Sequence, residues 1–283
     1  MKLVTYERNG QRSIGVLSDR GVIDLPAASG GALPADLLTL LQQGDAALAQ
    51  ARNAVARGQA IPLADVQLKA LLPRPGKIIG IGLNYADHAA EGGREKPKYP
   101  MIFTKAVSAV IGSGEPIRIP PVTQAVDFEG ELAVVIGKRA KDVPPKDALD
   151  YVAGYTICND VSARDYQQRS SPTAGKSFDT FAPLGPALVT RDEVPDPHVL
   201  DIRTLVSGEE MQHSNTRHLI FNIPYLIDYL SHIFALEPGD VITTGTPSGV
   251  GLFRTPPRFL KPGDTVRIEV QGVGVLENPV VTS

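Results

Sequence analysis

Acidic side chains one residue apart give this chain its clearest chemical signal. Glu129 and Glu131 lie in the stretch Asp127-Phe-Glu-Gly-Glu-Leu, and Asp160 ends the apolar segment Ile157-Cys-Asn-Asp. Alternate side chains of a β-strand share a face, so the two glutamates are expected to point the same way, roughly 6 to 7 Å apart. Two carboxylates held that close repel each other unless a cation lies between them.

The residues that follow Glu131 argue against a merely solvated acidic pair. Leu132 to Ile136 form a continuous apolar run rich in β-branched residues, which predicts a buried strand. An uncompensated charge there costs on the order of several kcal/mol. Three carboxylates and no nitrogen or sulfur ligand suit a hard ion. The sequence therefore predicts a site for Mg²⁺, with Mn²⁺ or Ca²⁺ as alternatives, held by Glu129, Glu131 and Asp160.

A second candidate group is the pair His88 and Glu91. The two side chains lie three positions apart on one face of a short predicted helix, for which Asn84 is the expected N-terminal cap. A carboxylate at this spacing can fix the imidazole tautomer and raise its basicity. The spacing alone leaves two interpretations open, a catalytic pair and a surface ion pair.

Composition excludes several function classes. The 283 residues carry 28 basic and 31 acidic side chains, a net charge of -3 that gives no field for holding nucleic acid or an anionic membrane. No apolar run is long enough to span a bilayer and no leader pattern opens the chain. The single cysteine, Cys158, excludes an internal disulfide and is expected to be a buried packing residue. We expect a soluble cytoplasmic protein without nucleic-acid or membrane partners.

The elements that must position these residues belong to an α+β fold. Residues 1–72 predict a small N-terminal α+β domain, with a hairpin turn at Asn9-Gly10 and helical patterns at 37–41 and 46–57. Two prolines and a glycine at 72–76 predict its boundary. From residue 76 to 283, β signals dominate, and one clear helix, with Asn222 near its N-terminal cap, interrupts them at 224–234. We expect a strand-rich catalytic domain there, and not alternating βαβ units.

Together these segments resemble the fumarylacetoacetate hydrolase family, in the branch of domain-containing homologues and their bacterial relatives. The matching motifs keep the order of the family and span about residues 76 to 281. They are Gly82-Leu-Asn-Tyr-Ala-Asp-His88, Asp127-Phe-Glu-Gly-Glu131-Leu, Asn159-Asp-Val-Ser-Ala-Arg-Asp165, Gly175-Lys-Ser-Phe-Asp-Thr-Phe181 and Thr244-Gly-Thr-Pro-Ser-Gly-Val-Gly251.

The resemblance implies a mixed β-roll and a role for each matching residue. The metal ligands are Glu129, Glu131 and Asp160, with Asp127 beside the ligand set and not in it. His88 and Glu91 form a water-activating pair on a mobile lid over residues 84–98. Lys176 stabilises an enolate oxygen, and the residues facing substrate are Arg164, Gln167 and Thr246.

The resemblance also implies a reaction class. It indicates a metal-dependent hydrolase that breaks a carbon-carbon bond of a small acylpyruvate or fumarylpyruvate, as in aromatic compound catabolism, and that forms a homodimer. Oxaloacetate decarboxylation or tautomerisation is the alternative, as is isomerisation of a 2-hydroxyhepta-2,4-diene-1,7-dioate. The shared residues do not separate these reactions. A metal-dependent binding protein without activity is a third hypothesis, which the intact His88, Glu91 and Lys176 disfavour.

Overall fold

The computed structural model describes residues 1–283 and confirms the α+β class. Seven α-helices are Leu25–Ala28, Leu37–Gln42, Gly44–Val55, Ala86–Glu91, Arg164–Arg169, Pro172–Lys176 and Ile223–Ile233 (α1 to α7). Six 3₁₀ turns are Leu63–Asp65, Val107–Ala109, Pro145–Tyr151, Arg191–Glu193, Thr216–His218 and Gly251–Phe253. Nineteen strands, β1 to β19, are Lys2–Arg8, Gln11–Ser18, Gly21–Asp24, Ala60–Ile61, Gln67–Leu68, Ile78–Gly82, Met101–Thr104, Val110–Ile111, Ile117–Ile119, Val126–Asp127, Gly130–Ile136, Val152–Asn159, Ser162–Ala163, Ala182–Thr190, Asp201–Val206, Glu209–Asn215, Val241–Thr243, Thr265–Val270 and Gly274–Thr282.

One large sheet runs through the molecule in the order β4-β3-β2-β1-β14-β12-β11-β17-β6-β7. The predicted turn at Asn9-Gly10 connects β1 to β2, and both residues have the positive φ angles of 52° and 75° that this tight hairpin turn requires. Strand β1 pairs with β14, where Lys2 lies opposite Val189. The N-terminal strands therefore extend the central sheet. Whether residues 1–72 are a domain in the sense of folding alone stays a prediction.

A second sheet, in the order β16-β15-β18-β19-β9, packs over one face of the first. The apolar core between the sheets includes Leu132, Val134 and Ile136 of β11. The alternate residues Ala133 and Val135 pack on the opposite side against α2 and α3. Because β11 is buried on both faces, its sequence is continuously apolar, as predicted.

Most predicted elements are confirmed to within a few residues, including the helix with Asn222 as its cap, whose side chain accepts from the Tyr225 N–H at 3.0 Å. Seven strands were not predicted, and five of these, β4, β5, β8, β10 and β13, are only two residues long. Strand β16 is mostly polar because it lies at a sheet edge, and β19 contains Pro279. None of the helices has the length and apolar character that crossing a membrane requires.

Candidate active site

Two neighbouring strands, β11 at its beginning and β12 at its end, bring the predicted acidic residues together. The antiparallel register of β11 and β12 sets Gly130 opposite Asn159, so that the residues beyond each, Glu129 and Asp160, come together. Two hydrogen bonds hold Glu129 beside Asn159 and Asp160. The Asp160 N–H donates to the Glu129 carbonyl at 2.8 Å, and the Asn159 side chain accepts from the Glu129 N–H at 3.1 Å.

The carboxylates of Glu129, Glu131 and Asp160 form a compact buried triad. One oxygen from each lies within 4.8 Å of the others. Glu131 makes no ion pair and accepts a hydrogen bond only from the Gly245 N–H, at 2.7 Å. Gly245 has a φ of 101°, and a Cβ there would lie 2.7 Å from the Asn84 side chain, so this donor requires a glycine. Burial and the two neighbouring carboxylates raise the pKa of Glu131 well above its usual value.

Two buried lysines balance part of this negative charge. Lys176, at the end of α6, donates to Glu129 at 2.7 Å and to Asp160 at 2.5 Å. Burial alone would lower its pKa, but the two carboxylates outweigh burial and raise it. Lys105 donates to the other Asp160 oxygen at 2.5 Å. Its pKa is lowered because burial outweighs that single carboxylate. Asp160 thus lies between two lysines.

Asp127 organises the rim of the site, beside the triad. It is fully buried and accepts from the Arg164 Nε–H at 2.8 Å and from the N–H groups of Gly251 and Leu252 at 2.8 and 3.0 Å. Arg164 also donates to Glu129 at 2.6 Å. These two acids fix the guanidinium at the cavity wall.

Helix α4 carries the predicted pair, with the His88 Nδ1 3.5 Å from the Glu91 carboxylate. Glu91 is held from behind by the Gly249 N–H at 3.0 Å. The expectation that Asn84 caps this helix is wrong. Its amide is buried and bonds the Phe221 and Thr244 carbonyls at 3.0 and 2.7 Å, because those main-chain groups would otherwise be unpaired in the core.

These groups surround one cavity of about 310 Å³. The predicted residues that line it are His88, Glu129, Glu131, Asp160, Arg164, Gln167, Lys176 and Thr246. Glu91 does not line the cavity but contacts His88. Two basic residues of the site, Lys105 and the cavity-lining Arg94, were not predicted from the sequence. Lys105 could have been noticed in the sequence because it directly follows strand β7. Arg94 lies in a run of charged residues whose spacing shows no pattern.

The donor set fits a divalent ion of the hard class. All three ligating side chains are buried oxygen donors, and Glu131 is the acid of the group that no basic side chain neutralises. The buried Cys158 and the cavity histidine are not among the clustered groups, which disfavours a soft ion such as zinc.

Comparison with known proteins identifies the family of this chain. The family described as fumarylacetoacetate (FAA) hydrolase C-terminal matches residues 77–281. The mitochondrial oxaloacetate tautomerase of Xenopus laevis is 47% identical over 289 residues, covering 99% of this chain and 90% of that protein. The chain belongs to the fumarylacetoacetate hydrolase family, as its motifs predicted.

Two solved structures share the whole fold. A 5-carboxymethyl-2-hydroxymuconate delta-isomerase from Mycobacterium smegmatis is 37% identical, with a TM-score of 0.79 over 100% of this chain and 99% of that chain. A maleylpyruvate hydrolase from Sphingobium, in complex with manganese(II) and pyruvate, is 32% identical, with a TM-score of 0.84 over 100% of both chains. The three relatives are named for three reactions, so family membership does not select one.

Proposed function

We propose that this protein is a divalent-metal-dependent enzyme that interconverts the keto and enol forms of a small 2-oxo acid of the oxaloacetate type. The observation that carries the proposal is the buried carboxylate triad that shares one cavity with His88 and Lys176. The tautomerase relative, similar along 99% of the chain, supports this reaction over the others.

Glu129, Glu131 and Asp160 would hold the ion, for which we propose Mg²⁺ with Mn²⁺ or Ca²⁺ as alternatives. When bound, such an ion polarises the oxo group of the substrate and stabilises the negative charge of the enolate. Lys176 adds a permanent positive charge at the same end of the cavity, since its pKa is raised. Arg164, Gln167 and Thr246 provide hydrogen-bonding groups along the wall.

His88 is the residue suited to move the proton. In the keto-to-enol direction the C3–H bond breaks, and its proton passes to the imidazole nitrogen that faces away from Glu91. The electron pair becomes the C2–C3 double bond, and the oxo oxygen takes the negative charge and then a proton from water, while the imidazolium returns its proton to water. Glu91 stabilises the imidazolium that forms, and Gly249 holds Glu91 in place. The reverse direction uses the same groups.

Carbon-carbon bond hydrolysis is the second candidate, favoured by the same His88–Glu91 pair and by the hydrolase relative. The imidazole would then take a proton from a water molecule that attacks a distal acyl carbonyl. The C–C bond breaks, and its electron pair leaves with the pyruvate enolate. We propose, with this second candidate function, that the protein acts in aromatic compound catabolism and is located in the cytoplasm.

A substrate panel separates the two reactions. Purified protein with Mg²⁺ is expected to accelerate loss of the enol absorbance of oxaloacetate, and to release little pyruvate from acylpyruvates. Chelation should remove the acceleration. Pyruvate release from an acylpyruvate without tautomerisation would establish the hydrolase, and no Mg²⁺-dependent turnover of either substrate would contradict both.

We also propose a homodimer. The sequence predicts an interface formed by the apolar stretch Phe253, Pro256, Pro257, Phe259 and Leu260. Leu260 is buried within the chain, whereas Phe253, Pro256 and Pro257 are exposed and could be covered by a second copy. Sedimentation at micromolar concentration is expected to give twice the 30.2 kDa chain mass. A species of 30.2 kDa alone would contradict the homodimer.

The lid over residues 84–98 is a further prediction. Its first part is anchored, since Tyr85 and Ala89 are buried, whereas 93–98 is mostly exposed. Amide hydrogen exchange, followed with Mg²⁺, is expected to slow across 92–98 when oxalate is added, because closure would shield these amides. Helix α7 serves as the internal reference. Equal exchange with and without oxalate would mean that the lid does not move.

A further inference from the structure

One basic residue of the cavity has no acidic partner. Arg94 lines the cavity, and its guanidinium makes neither a hydrogen bond nor an ion pair. The other basic side chains around the triad are neutralised: Arg164 contacts Asp127 and Glu129, and Lys176 contacts Glu129 and Asp160. Arg94 is therefore the cation of this cavity that remains available to a ligand.

The main chain fixes where Arg94 begins. Helix α4 ends in a Schellman motif, in which Gly93 has a φ of 65° and donates to the Ala90 carbonyl at 3.0 Å, and the Arg94 N–H donates to the Ala89 carbonyl at 2.9 Å. The backbone of Arg94 is thus bonded to the helix that carries His88. Any movement of the helix would move the imidazole and the guanidinium together.

The two ends of the cavity differ in exposure and charge. Glu131 and Asp160 are 1% and 0% exposed and form its floor, whereas Arg94 is exposed and stands at its mouth. The other exposed residues that line the cavity, Met101, Gln168 and Phe253, are neutral. A ligand with its 2-oxo carboxylate at the floor would direct its far end toward Arg94.

We propose that Arg94 binds the distal carboxylate of the substrate and so makes the site selective for 2-oxo dicarboxylic acids over monocarboxylic ones. This rests on the proposed function, which places the 2-oxo carboxylate at the metal triad. The planar guanidinium offers paired N–H donors that match a carboxylate. A monocarboxylic acid would leave those donors without a ligand.

Malate and 2-hydroxybutyrate test the assignment by binding alone. Both are 2-hydroxy acids that cannot enolise, and they differ in carrying a terminal carboxylate or a methyl group. Calorimetry with Mg²⁺ is expected to show that the wild-type protein binds malate more tightly. Arg94→Gln should weaken malate about tenfold, the size of one lost charge-assisted pair, and leave 2-hydroxybutyrate unchanged. The malate affinity of Arg94→Lys should lie between that of the wild-type protein and that of Arg94→Gln.

Lys98→Gln is the matched control, because Lys98 is an exposed lid cation outside the cavity. It should leave the malate dissociation constant unchanged. Equal wild-type affinity for the two acids, equal weakening of both by Arg94→Gln, or the same loss in Lys98→Gln would each overturn the assignment. Selective malate binding that depends on Arg94, in a protein that turns over no oxo acid, would sustain the Arg94 site and refute the proposed function.

Discussion

Replacement of Glu131 by glutamine is expected to abolish divalent-ion binding and turnover together. The glutamine keeps the shape and can still accept from the Gly245 N–H, but it removes the charge of the acid that no basic side chain neutralises. Loss of a residue outside a ligand set typically costs about 10- to 100-fold in metal affinity, so the loss of a ligand should cost at least about 100-fold. Calorimetric titration with Mg²⁺ or Mn²⁺ and the tautomerase assay measure the two effects.

The same variant should not unfold the protein. In the absence of metal, burial and then the carboxylates of Asp160 and Glu129 disfavour the charged form of Glu131 and raise its pKa, so a neutral glutamine removes this unfavourable charge. The melting temperature of the metal-free variant is expected to equal or exceed that of the wild type. The control is Glu209→Gln, which removes an exposed carboxylate outside the cavity lining and should leave metal affinity unchanged. Unchanged metal affinity in Glu131→Gln would remove Glu131 from the ligand set.

His88→Gln is expected to separate chemistry from metal binding. The imidazole lines the cavity but is not one of the three clustered acids. Turnover should therefore fall by about 10²- to 10⁴-fold, the usual contribution of a general acid-base group, while Mg²⁺ affinity stays at the wild-type value. Glu91→Gln should give a smaller loss, because it weakens the orientation of the ring and leaves the ring present.

His232→Gln gives the matched control, since this histidine is exposed on α7 and does not line the cavity. Its turnover should equal that of the wild type. Retention of most activity in His88→Gln, measured beside an inactive Glu131→Gln, would show that another group or a water molecule carries the proton. Loss of metal affinity in His88→Gln would instead make His88 part of the metal site.

The sequence by itself determined the local features of this protein. The alternation of Glu129 and Glu131 before an apolar run indicated a buried acidic pair, because strand geometry gives every second side chain the same face. The Asn9-Gly10 turn and the Asn222 cap were predictable for the same reason, since both depend on interactions within a few residues. The motifs that define the family are equally local.

Only the tertiary structure decided which distant residues meet. Asp160 reaches Glu129 through the register of β11 and β12, and Lys105 reaches Asp160 across 55 residues of chain. Asn84 has the residue type of a cap, yet it bonds main-chain groups more than a hundred residues away. Strand β16 is polar and is held by its partner β15. Such contacts depend on pairing and burial between remote segments, which local propensity does not encode.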